Sequence, residues 1–258
     1  MNGLTNADDA QTLGAEVVSV GNWATETLVG GDHAGAGLGV GVLALQGDFR
    51  EHQRMLEALG ARTVAVRSAA QLDGLDGLVI PGGESTTMGK LMVEYGLIEA
   101  IRDFAASGRP IYGTCAGLIV LARATVESYD QPLLGLIDIV ARRNAFGRQV
   151  KSFEVNLVVD GLGPEPLRAV FIRSPWIEQA GPGVHVLAEY DGHGVAATQG
   201  SILVTAFHPE LTSDTRVHRR FLEMVRAAQG SRGARQPEFT QPEARQPEVR
   251  QPESAKVV

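Results

Sequence analysis

The chain has a single cysteine, and it lies in a sequence pattern typical of a catalytic nucleophile. Cys115 is the only cysteine of the chain and sits in Gly113-Thr114-Cys115-Ala116-Gly117, between an apolar run and a helical pattern. This G-x-C-x-G arrangement is the thiol counterpart of the G-x-S-x-G nucleophile elbow, whose glycines leave room for a tight, strained turn. The start of a helix favours the thiolate over the thiol. We therefore predict a catalytic nucleophile, against the alternative of a buried structural cysteine.

A histidine and a glutamate follow another predicted strand. His208 comes directly after the apolar run 202–207, and Glu210 follows two residues later. Residues i and i+2 of an extended segment point the same way, so Glu210 can orient the imidazole of His208, which would act as the base. The other histidines are expected to take no part in catalysis. His52 is predicted to be exposed on a helix, and the remaining four are assigned to the N-terminal extension, to turns or to a helix surface: His33, His185, His193 and His218.

A glycine-rich turn supplies a third candidate. Pro81-Gly82-Gly83-Glu84-Ser85-Thr86-Thr87 also follows an apolar run. Consecutive glycines let backbone N–H groups turn inward, which suits a phosphate site or an oxyanion hole. A phosphate loop would be longer and carry Lys-Ser/Thr, so we predict an oxyanion hole built from the N–H groups of Gly83 and Ala116. A plain strand-to-helix turn is the alternative. No spacing suggests metal ligands or a dinucleotide-binding loop, so no metal or cofactor is expected.

The elements that must position these residues alternate between strand and helix. Apolar runs at 40–45, 63–66, 78–80 and 110–113 alternate with helical patterns, which is typical of a parallel sheet with right-handed crossovers. After about residue 136, short strand patterns joined by Gly- and Pro-bearing turns predict an antiparallel elaboration, and a final helix is expected near 215–229. In such α/β folds ligands bind at the carboxyl ends of the strands, where all three candidate segments lie.

Composition limits the function classes. The 258 residues carry 23 Lys+Arg and 30 Asp+Glu, a net charge of −7, which argues against binding to nucleic acid or to an anionic membrane. No apolar run approaches the roughly 18 residues of a membrane-spanning helix, and the first ten residues lack the features of a signal peptide. One cysteine excludes an internal disulfide. A cytoplasmic protein is expected.

The two ends of the chain differ from its centre in sequence pattern. Residues 1–37 keep no apolar period and are predicted to be a poorly ordered or loosely docked extension. Gln-Pro-Glu recurs four times between residues 236 and 253, so the tail 231–258 is predicted to be disordered. One α/β domain is predicted for 38–230.

Seven segments together carry a family resemblance. They are Leu45-Gln46-Gly47, Arg50-Glu51-His52, Pro81-Gly82-Gly83-Glu84-Ser85-Thr86-Thr87-Met88, Gly113-Thr114-Cys115-Ala116-Gly117-Leu118, Arg143-Asn144-Ala145-Phe146-Gly147-Arg148-Gln149, Phe171-Ile172-Arg173-Ser174-Pro175 and Phe207-His208-Pro209-Glu210-Leu211-Thr212. From about Gly39 to Ala227 the chain resembles the glutaminase subunits of the deoxyxylulose-independent pyridoxal 5′-phosphate synthase, which are class I (triad) glutamine amidotransferases. Asp48-Phe49 departs from the small apolar residues expected after Gly47.

The resemblance implies a flavodoxin-like class I amidotransferase fold and a triad of Cys115, His208 and Glu210 that hydrolyses L-glutamine to glutamate and ammonia. It implies a hetero-oligomer with a (β/α)₈-barrel synthase, which uses the ammonia to make pyridoxal 5′-phosphate; that coenzyme is a product and is not bound here. The glutamine contacts that it implies are Gly83, Glu84, Ser85, Arg143, Ile172 and Arg173. An arginine suits the α-carboxylate of glutamine, and Glu84 or backbone carbonyls suit the α-ammonium.

Two alternatives stay open at this point. A cysteine peptidase or related hydrolase on a flavodoxin-like fold would not need arginines for an α-carboxylate and would leave glutamine intact. A non-catalytic binding module would keep the fold without the chemistry, and a glutamine-mimicking electrophile such as diazo-oxo-norleucine would fail to label it.

Overall fold

The protein is described here from a computed structural model covering residues 33–127, 130–146 and 152–233. The predicted N-terminal extension up to residue 32 and the Gln-Pro-Glu tail from residue 234 lie outside the described residues, as do Gly147, Arg148 and Gln149 of the quoted motif. The division of the chain at residues 37 and 230 stays a prediction.

Helices and strands alternate through the first half of the described chain, and strands dominate the second half. The helices are α1 (Phe49–Ala58), α2 (Ser85–Glu94), α3 (Leu97–Ala106), α4 (Ala116–Leu121) and α5 (Arg216–Gly233). The strands are β1 (Gly39–Leu43), β2 (Arg62–Val66), β3 (Gly77–Ile80), β4 (Ile111–Thr114), β5 (Ala122–Thr125), β6 (Ile137–Arg142), β7 (Ser152–Leu157), β8 (Leu167–Ile172), β9 (Trp176–Ala180), β10 (His185–Tyr190), β11 (His193–Gln199) and β12 (Ile202–Thr205). Short 3₁₀ turns lie at Ala69–Leu72 and Pro209–Leu211.

The main sheet joins a parallel half to a half that is antiparallel except for the parallel pair of β5 and β6. Its order is β2-β1-β3-β4-β12-β11-β9-β6-β5, with β10 paired to β11, and every pairing from β2 to β12 is parallel. Strands β1, β3, β4 and β12 are buried along their whole length, as expected when helices cover both faces of a parallel sheet. The predicted fold class, a mostly parallel sheet with helices and an antiparallel elaboration, is confirmed.

Strand register brings the three candidate segments to one edge. Strand β4 pairs with β3 through Gly113 and Ile80, and with β12 through Thr114 and Thr205. Because all three strands run the same way, the residues that follow them lie side by side. The glycine-rich turn, Cys115 and His208 are therefore neighbours, although more than a hundred residues separate the first from the last.

The structure adds two strands that the sequence patterns did not predict, β5 and β9. It also extends the last helix to Gly233. The segment 33–37 packs on the domain: the N–H of Gly35 donates to the Leu59 carbonyl at 2.8 Å, and Arg226 donates to the carbonyls of Ala34 and Ala36 at 2.9 Å each. Among the described helices, none combines the length and apolarity needed to cross a membrane.

A separate hairpin, β7–β8, leads into the site. Phe153 and Phe171 face each other across it with stacked rings 4.7 Å apart, and Phe146 meets Phe171 edge-on. Such aromatic pairs add to the free energy gained by burying their surface. They fix the end of β8, where Ile172 is the last residue and Arg173 follows it.

Candidate active site

Cys115 occupies the turn between β4 and α4 in a strained conformation. Its backbone has φ +48° and ψ −99°, values that a residue with a side chain rarely adopts. The surrounding structure holds it there: its N–H donates to the Thr205 carbonyl at 2.8 Å, and its carbonyl accepts from the Ile119 N–H at 3.3 Å. The side chain is 7% exposed, with Sγ 4.0 Å from the Ile172 carbonyl oxygen.

The glycines on either side of Cys115 are needed for space. A Cβ on Gly117 would lie 2.1 Å from the Ile80 carbonyl oxygen, and one on Gly113 would lie 2.7 Å from the carbonyl carbon of Gly117. Both contacts involve backbone, which cannot rotate away. The turn at Cys115 therefore requires glycine at positions 113 and 117, because β3, β4 and α4 approach more closely than side chains would allow.

We expect Gly117→Ala to destabilise the fold. The added methyl group must push α4 away from β3, and overpacking of this kind costs about 1–3 kcal/mol. Urea unfolding of the purified variant measures the loss. The control is Gly230→Ala on α5, where an added Cβ meets nothing within 4 Å; equal stability of the two variants would contradict the packing argument.

His208 and Glu210 form a buried pair behind the thiol. His208 Nδ1 lies 2.7 Å from Glu210 Oε1, and the N–H donates to the carboxylate. The two residues are 3% and 5% exposed. This bond fixes the imidazole tautomer and leaves Nε2, which has no hydrogen-bond partner among the described residues, for the thiol.

The charges of this pair support each other. Burial disfavours an imidazolium, but Glu210 and Cys115 outweigh it and raise the pKa of His208 well above its usual value. Burial likewise disfavours a carboxylate, but His52 and His208 hold the pKa of Glu210 well below its usual value. An imidazolium at His208, next to Cys115, is thus favoured at neutral pH.

These residues border a cavity of about 240 Å³. Every residue predicted for the site lies on its wall except Glu210, which lies behind His208: Gly83, Glu84, Ser85, Cys115, Ala116, Arg143, Ile172, Arg173 and His208. Three further residues complete the wall, namely Asp48, Ile119 and Asn144. The structure thus brings together all three candidate segments and the two arginines.

The glycine-rich turn is held by its neighbours. Gly83 has φ +147°, which only glycine adopts readily, and a Cβ there would lie 2.6 Å from Gln46 Nε2. Gln46 donates to the Glu84 carbonyl at 2.9 Å. A Cβ on Gly82 would lie 2.5 Å from His208 Cε1, so this glycine allows the imidazole to approach the turn.

Glu84 and Arg143 form an ion pair on the cavity wall. Arg143 Nη2 lies 3.0 Å from Glu84 Oε1, and Nη1 donates to Thr86 Oγ1 and Gln131 Oε1. Glu84 also caps α2 by accepting from the N–H groups of Thr86 and Thr87. Partial burial opposes its charge, but these hydrogen bonds lower the pKa of Glu84 to about 2. The wall therefore presents an anion beside a cation.

Two histidine predictions are wrong. His52 and His218 are both fully buried, although His52 was expected to be exposed and His218 to lie on a helix surface. Both lie on the apolar faces of their helices, and they contact each other behind the triad.

Asp48, which the sequence singled out only as a departure from the family pattern, joins His208 and Glu210. One ligand-type atom from each of these three residues lies within 4.8 Å of the others. No linear spacing could indicate this group, since Asp48 precedes α1. Burial, followed by repulsion from Glu210, raises the pKa of Asp48. His208 Nδ1 and Glu210 Oε1 are already joined to each other, so we treat Asp48 as part of the surroundings of the triad.

Comparison with known proteins agrees with this geometry. The SNO glutamine amidotransferase family matches residues 42–227. The chain is 56% identical over 194 residues to the pyridoxal 5′-phosphate synthase subunit PdxT of Frankia alni, covering 75% of this chain and 98% of that protein. It is 57% identical over 195 residues to the protein of the same name from Pelotomaculum thermopropionicum, covering 75% and 99%.

Solved structures agree as well. A crystal structure described as a glutamine amidotransferase shares 50% identity and a TM-score of 0.69, covering 72% of this chain and 98% of that one. A putative GMP synthase subunit from Thermoplasma acidophilum, at 19% identity and a TM-score of 0.56 with 76% and 98% covered, shares the fold. Family match, sequence identity and fold lead to one assignment: this chain belongs to the SNO glutamine amidotransferase family.

Proposed function

We propose that this chain is the glutaminase subunit of a pyridoxal 5′-phosphate synthase, and that Cys115, His208 and Glu210 are its catalytic triad. The observation that carries the proposal is the strained Cys115 on a cavity wall beside a buried, hydrogen-bonded His208–Glu210 pair. The assignment to pyridoxal 5′-phosphate synthesis rests on the relatives, which are named as subunits of this synthase.

The triad acts on the side-chain amide of L-glutamine. The Cys115 thiolate attacks the amide carbon, a C–S bond forms, and the carbonyl oxygen becomes an oxyanion. The His208 imidazolium gives its proton to the amide nitrogen as the C–N bond breaks, which releases ammonia and leaves a glutamyl thioester. His208 then takes a proton from water as the water oxygen attacks the thioester carbon; the C–S bond breaks, glutamate is released and the Cys115 thiolate is regenerated. Glu210 stabilises the imidazolium throughout.

The oxyanion is bound by the N–H groups of Gly83 and Ala116. Both residues border the cavity beside Cys115. Donors preorganised for a developing oxyanion are worth roughly 3–4 kcal/mol each. The φ of Gly83, open only to glycine, lets this peptide face the cavity without a side chain in the way.

The polar end of glutamine binds at the opposite wall. A free amino acid carries a carboxylate and an ammonium group on one carbon, and the Arg143–Glu84 pair offers a cation beside an anion. Arg173, which also borders the cavity, adds a second guanidinium for the carboxylate, and Ser85 and Ile172 complete the contacts. This charge pattern favours glutamine over a peptide, whose backbone carries no such charges, and so favours an amidotransferase over a peptidase.

Ammonia must pass directly to a partner, because it is protonated in bulk water and an ammonium ion is not a nucleophile. The partner is the synthase subunit, a (β/α)₈ barrel that joins ammonia to phosphorylated sugars, and the two act as a hetero-oligomer in the cytoplasm. The chain itself needs no cofactor, no nucleic acid and no membrane.

We expect the glutaminase activity to be low in the isolated chain and to rise when the synthase subunit is added, because docking orders the oxyanion loop. Ammonia release from L-glutamine, measured with and without the synthase subunit, tests this. Equal turnover in both samples would contradict the coupling, and no turnover in the complex would contradict the function. Labelling by diazo-oxo-norleucine separates a catalytic site from a binding module.

A further inference from the structure

A second pair of histidines lies directly behind the carboxylate of the triad. His52 on α1 and His218 on α5 have no exposed surface. His52 Nδ1 lies 2.9 Å from His218 Nε2, and His52 Nε2 lies 3.1 Å from Thr114 Oγ1 and 3.5 Å from Glu210 Oε2. The carboxylate of Glu210 is therefore placed between two imidazoles, with His208 at one oxygen and His52 at the other.

The hydrogens of this arrangement can be assigned from its acceptors. An ionised carboxylate only accepts, so the nitrogen of His52 that faces Glu210 carries a hydrogen. When His52 carries only this one hydrogen, its Nδ1 accepts from the Nε2–H of His218. This assignment leaves His218 Nδ1 as a bare nitrogen, and that atom has no hydrogen-bond partner among the described residues. The N–H of His218 then points toward His52, and the N–H of His52 lies between Thr114 Oγ1 at 3.1 Å and Glu210 Oε2 at 3.5 Å.

The surroundings support a neutral His218 and a fixed His52. Burial, followed by His52, lowers the pKa of His218 to about 3. The ring of Tyr112 meets both imidazoles edge-on, at 6.0 Å from His52 and 5.9 Å from His218. Neither ring is free to turn, so the direction of the His52 N–H is set by packing.

Glu210 Oε2 needs this neighbour. Oε1 accepts a hydrogen bond from His208, whereas Oε2 is buried, has no hydrogen-bond partner among the described residues, and lies 3.5 Å from His52 Nε2. A buried charged oxygen without a donor is costly, and a carboxylate relieves that cost by rotating or by taking up a proton. Either change would remove the partner that the His208 imidazolium requires.

We propose that His52 is a positioning residue of this active site: together with Thr114 and His218 it holds Glu210 with one oxygen toward His208. The catalytic role of His52 rests on the proposed glutaminase function. The effect of His52 on the charges of Cys115 and His208 does not depend on which substrate is bound.

Other charged or titratable groups also face the triad or the two histidines behind it and remain unchanged in the test. They are Asp48 at the start of α1, Tyr112 on β4, Asp214 before α5, and Glu84, Arg143 and Arg173 on the cavity wall.

Two amide substitutions at the same position distinguish positioning from packing. In His52→Gln the amide nitrogen can reach the place of Nε2 and donate toward Glu210, while its oxygen accepts from His218. In His52→Asn the shorter side chain reaches only the place of Nδ1, so the N–H that lies near Glu210 Oε2 is lost. Both variants are polar and smaller than histidine, so a purely structural role predicts similar behaviour.

The measurement is the rate at which iodoacetamide alkylates the protein between pH 5 and 10. Because the chain has one cysteine, this rate reports Cys115 alone. We expect H52N to move the midpoint of the profile upward by roughly one pH unit, a tenfold loss of thiolate below the midpoint, and H52Q to stay close to the wild type. Partners that orient active-site histidines in metal enzymes are worth roughly 10- to 100-fold; we expect a loss of this order in kcat for H52N, with KM changed little.

Several results would overturn the proposal. They are an unshifted midpoint in H52N, an equal shift in H52Q, and failure of both variants to fold, which would make His52 a structural residue. The alkylation profile needs no glutamine. If the wild type releases no ammonia even with the synthase subunit, the proposed function fails while the profiles still decide the role of His52.

Discussion

Cys115→Ala is expected to abolish ammonia release while glutamine still binds. The variant keeps the cavity, both arginines and the oxyanion donors, but it cannot form a thioester. Removing the nucleophile of a triad costs about 10⁶-fold in kcat in a serine protease, and a loss of this order would bring turnover to background. A coupled assay for ammonia in the complex with the synthase subunit measures the loss, and calorimetry with L-glutamine measures binding.

Cys115→Ser is the matched comparison, because it keeps a hydroxyl in the same turn. A hydroxyl is much harder to deprotonate than a thiol, so this variant is also expected to be inactive, and neither variant should react with diazo-oxo-norleucine. Retained ammonia release in Cys115→Ala would refute the mechanism, because no other cysteine exists in the chain to replace it.

Glu210→Gln is expected to give the second-largest effect, a loss of about 10⁴-fold in kcat by analogy with the aspartate-to-asparagine change in a serine protease triad. The amide can donate to His208 Nδ1, which would then carry no hydrogen and leave the hydrogen on Nε2. The ring would face the thiol with the wrong tautomer. The buried negative charge that favours the imidazolium would also be lost.

Glu210→Gln is also expected to change the pH dependence of thiol reactivity, in a direction that follows from the pKa of His208. In the wild type the pKa of His208 is raised, so the imidazolium persists as pH increases past its usual value and is lost only as pH passes the raised value. Without Glu210 the imidazolium is lost at lower pH, so a Cys115 thiolate loses its cationic partner there. We expect the iodoacetamide profile of Glu210→Gln to move to higher pH.

Glu178→Gln is the control for this experiment. Glu178 also has a lowered pKa, to about 2, but its partners are Arg142 and Trp176, away from the cavity wall. We expect it to keep wild-type turnover and an unshifted profile. An equal loss in both variants would mean that the effect comes from removing any paired carboxylate.

The sequence was sufficient for the elements that bring Cys115, His208 and Gly83 together. Each follows a short apolar run, and strands of a parallel sheet end at the same edge, so their proximity follows from the fold class. Strands β5 and β9 were not predicted. Strand β5 continues directly from α4, and β9, with Glu178 and Gln179 among its five residues, lacks a strong apolar pattern.

The exposure of the His52 and His218 side chains was predicted wrongly, and helical periodicity explains why. His52 follows Arg50 and Glu51, and these charged neighbours suggested a solvated surface. Yet His52 is spaced by three or four residues from Met55 and Leu56, and His218 by the same intervals from Phe221 and Leu222. Helical periodicity therefore placed both on apolar faces.

The ion pair on the cavity wall could not be predicted. Glu84 and Arg143 are 59 residues apart, and each was expected to contact glutamine. Their pairing depends on how β6 and the start of α2 meet in three dimensions, which no local pattern encodes.

The pairing of β4 with β12 has a consequence for how this protein loses activity. The nucleophile extends from one strand and its base from the next, and the Cys115 amide is bonded to the Thr205 carbonyl across the seam between them. Separating these two strands would open the centre of the core and move Cys115 away from His208 at the same time. We therefore expect heat inactivation to coincide with unfolding of the sheet in a single cooperative transition.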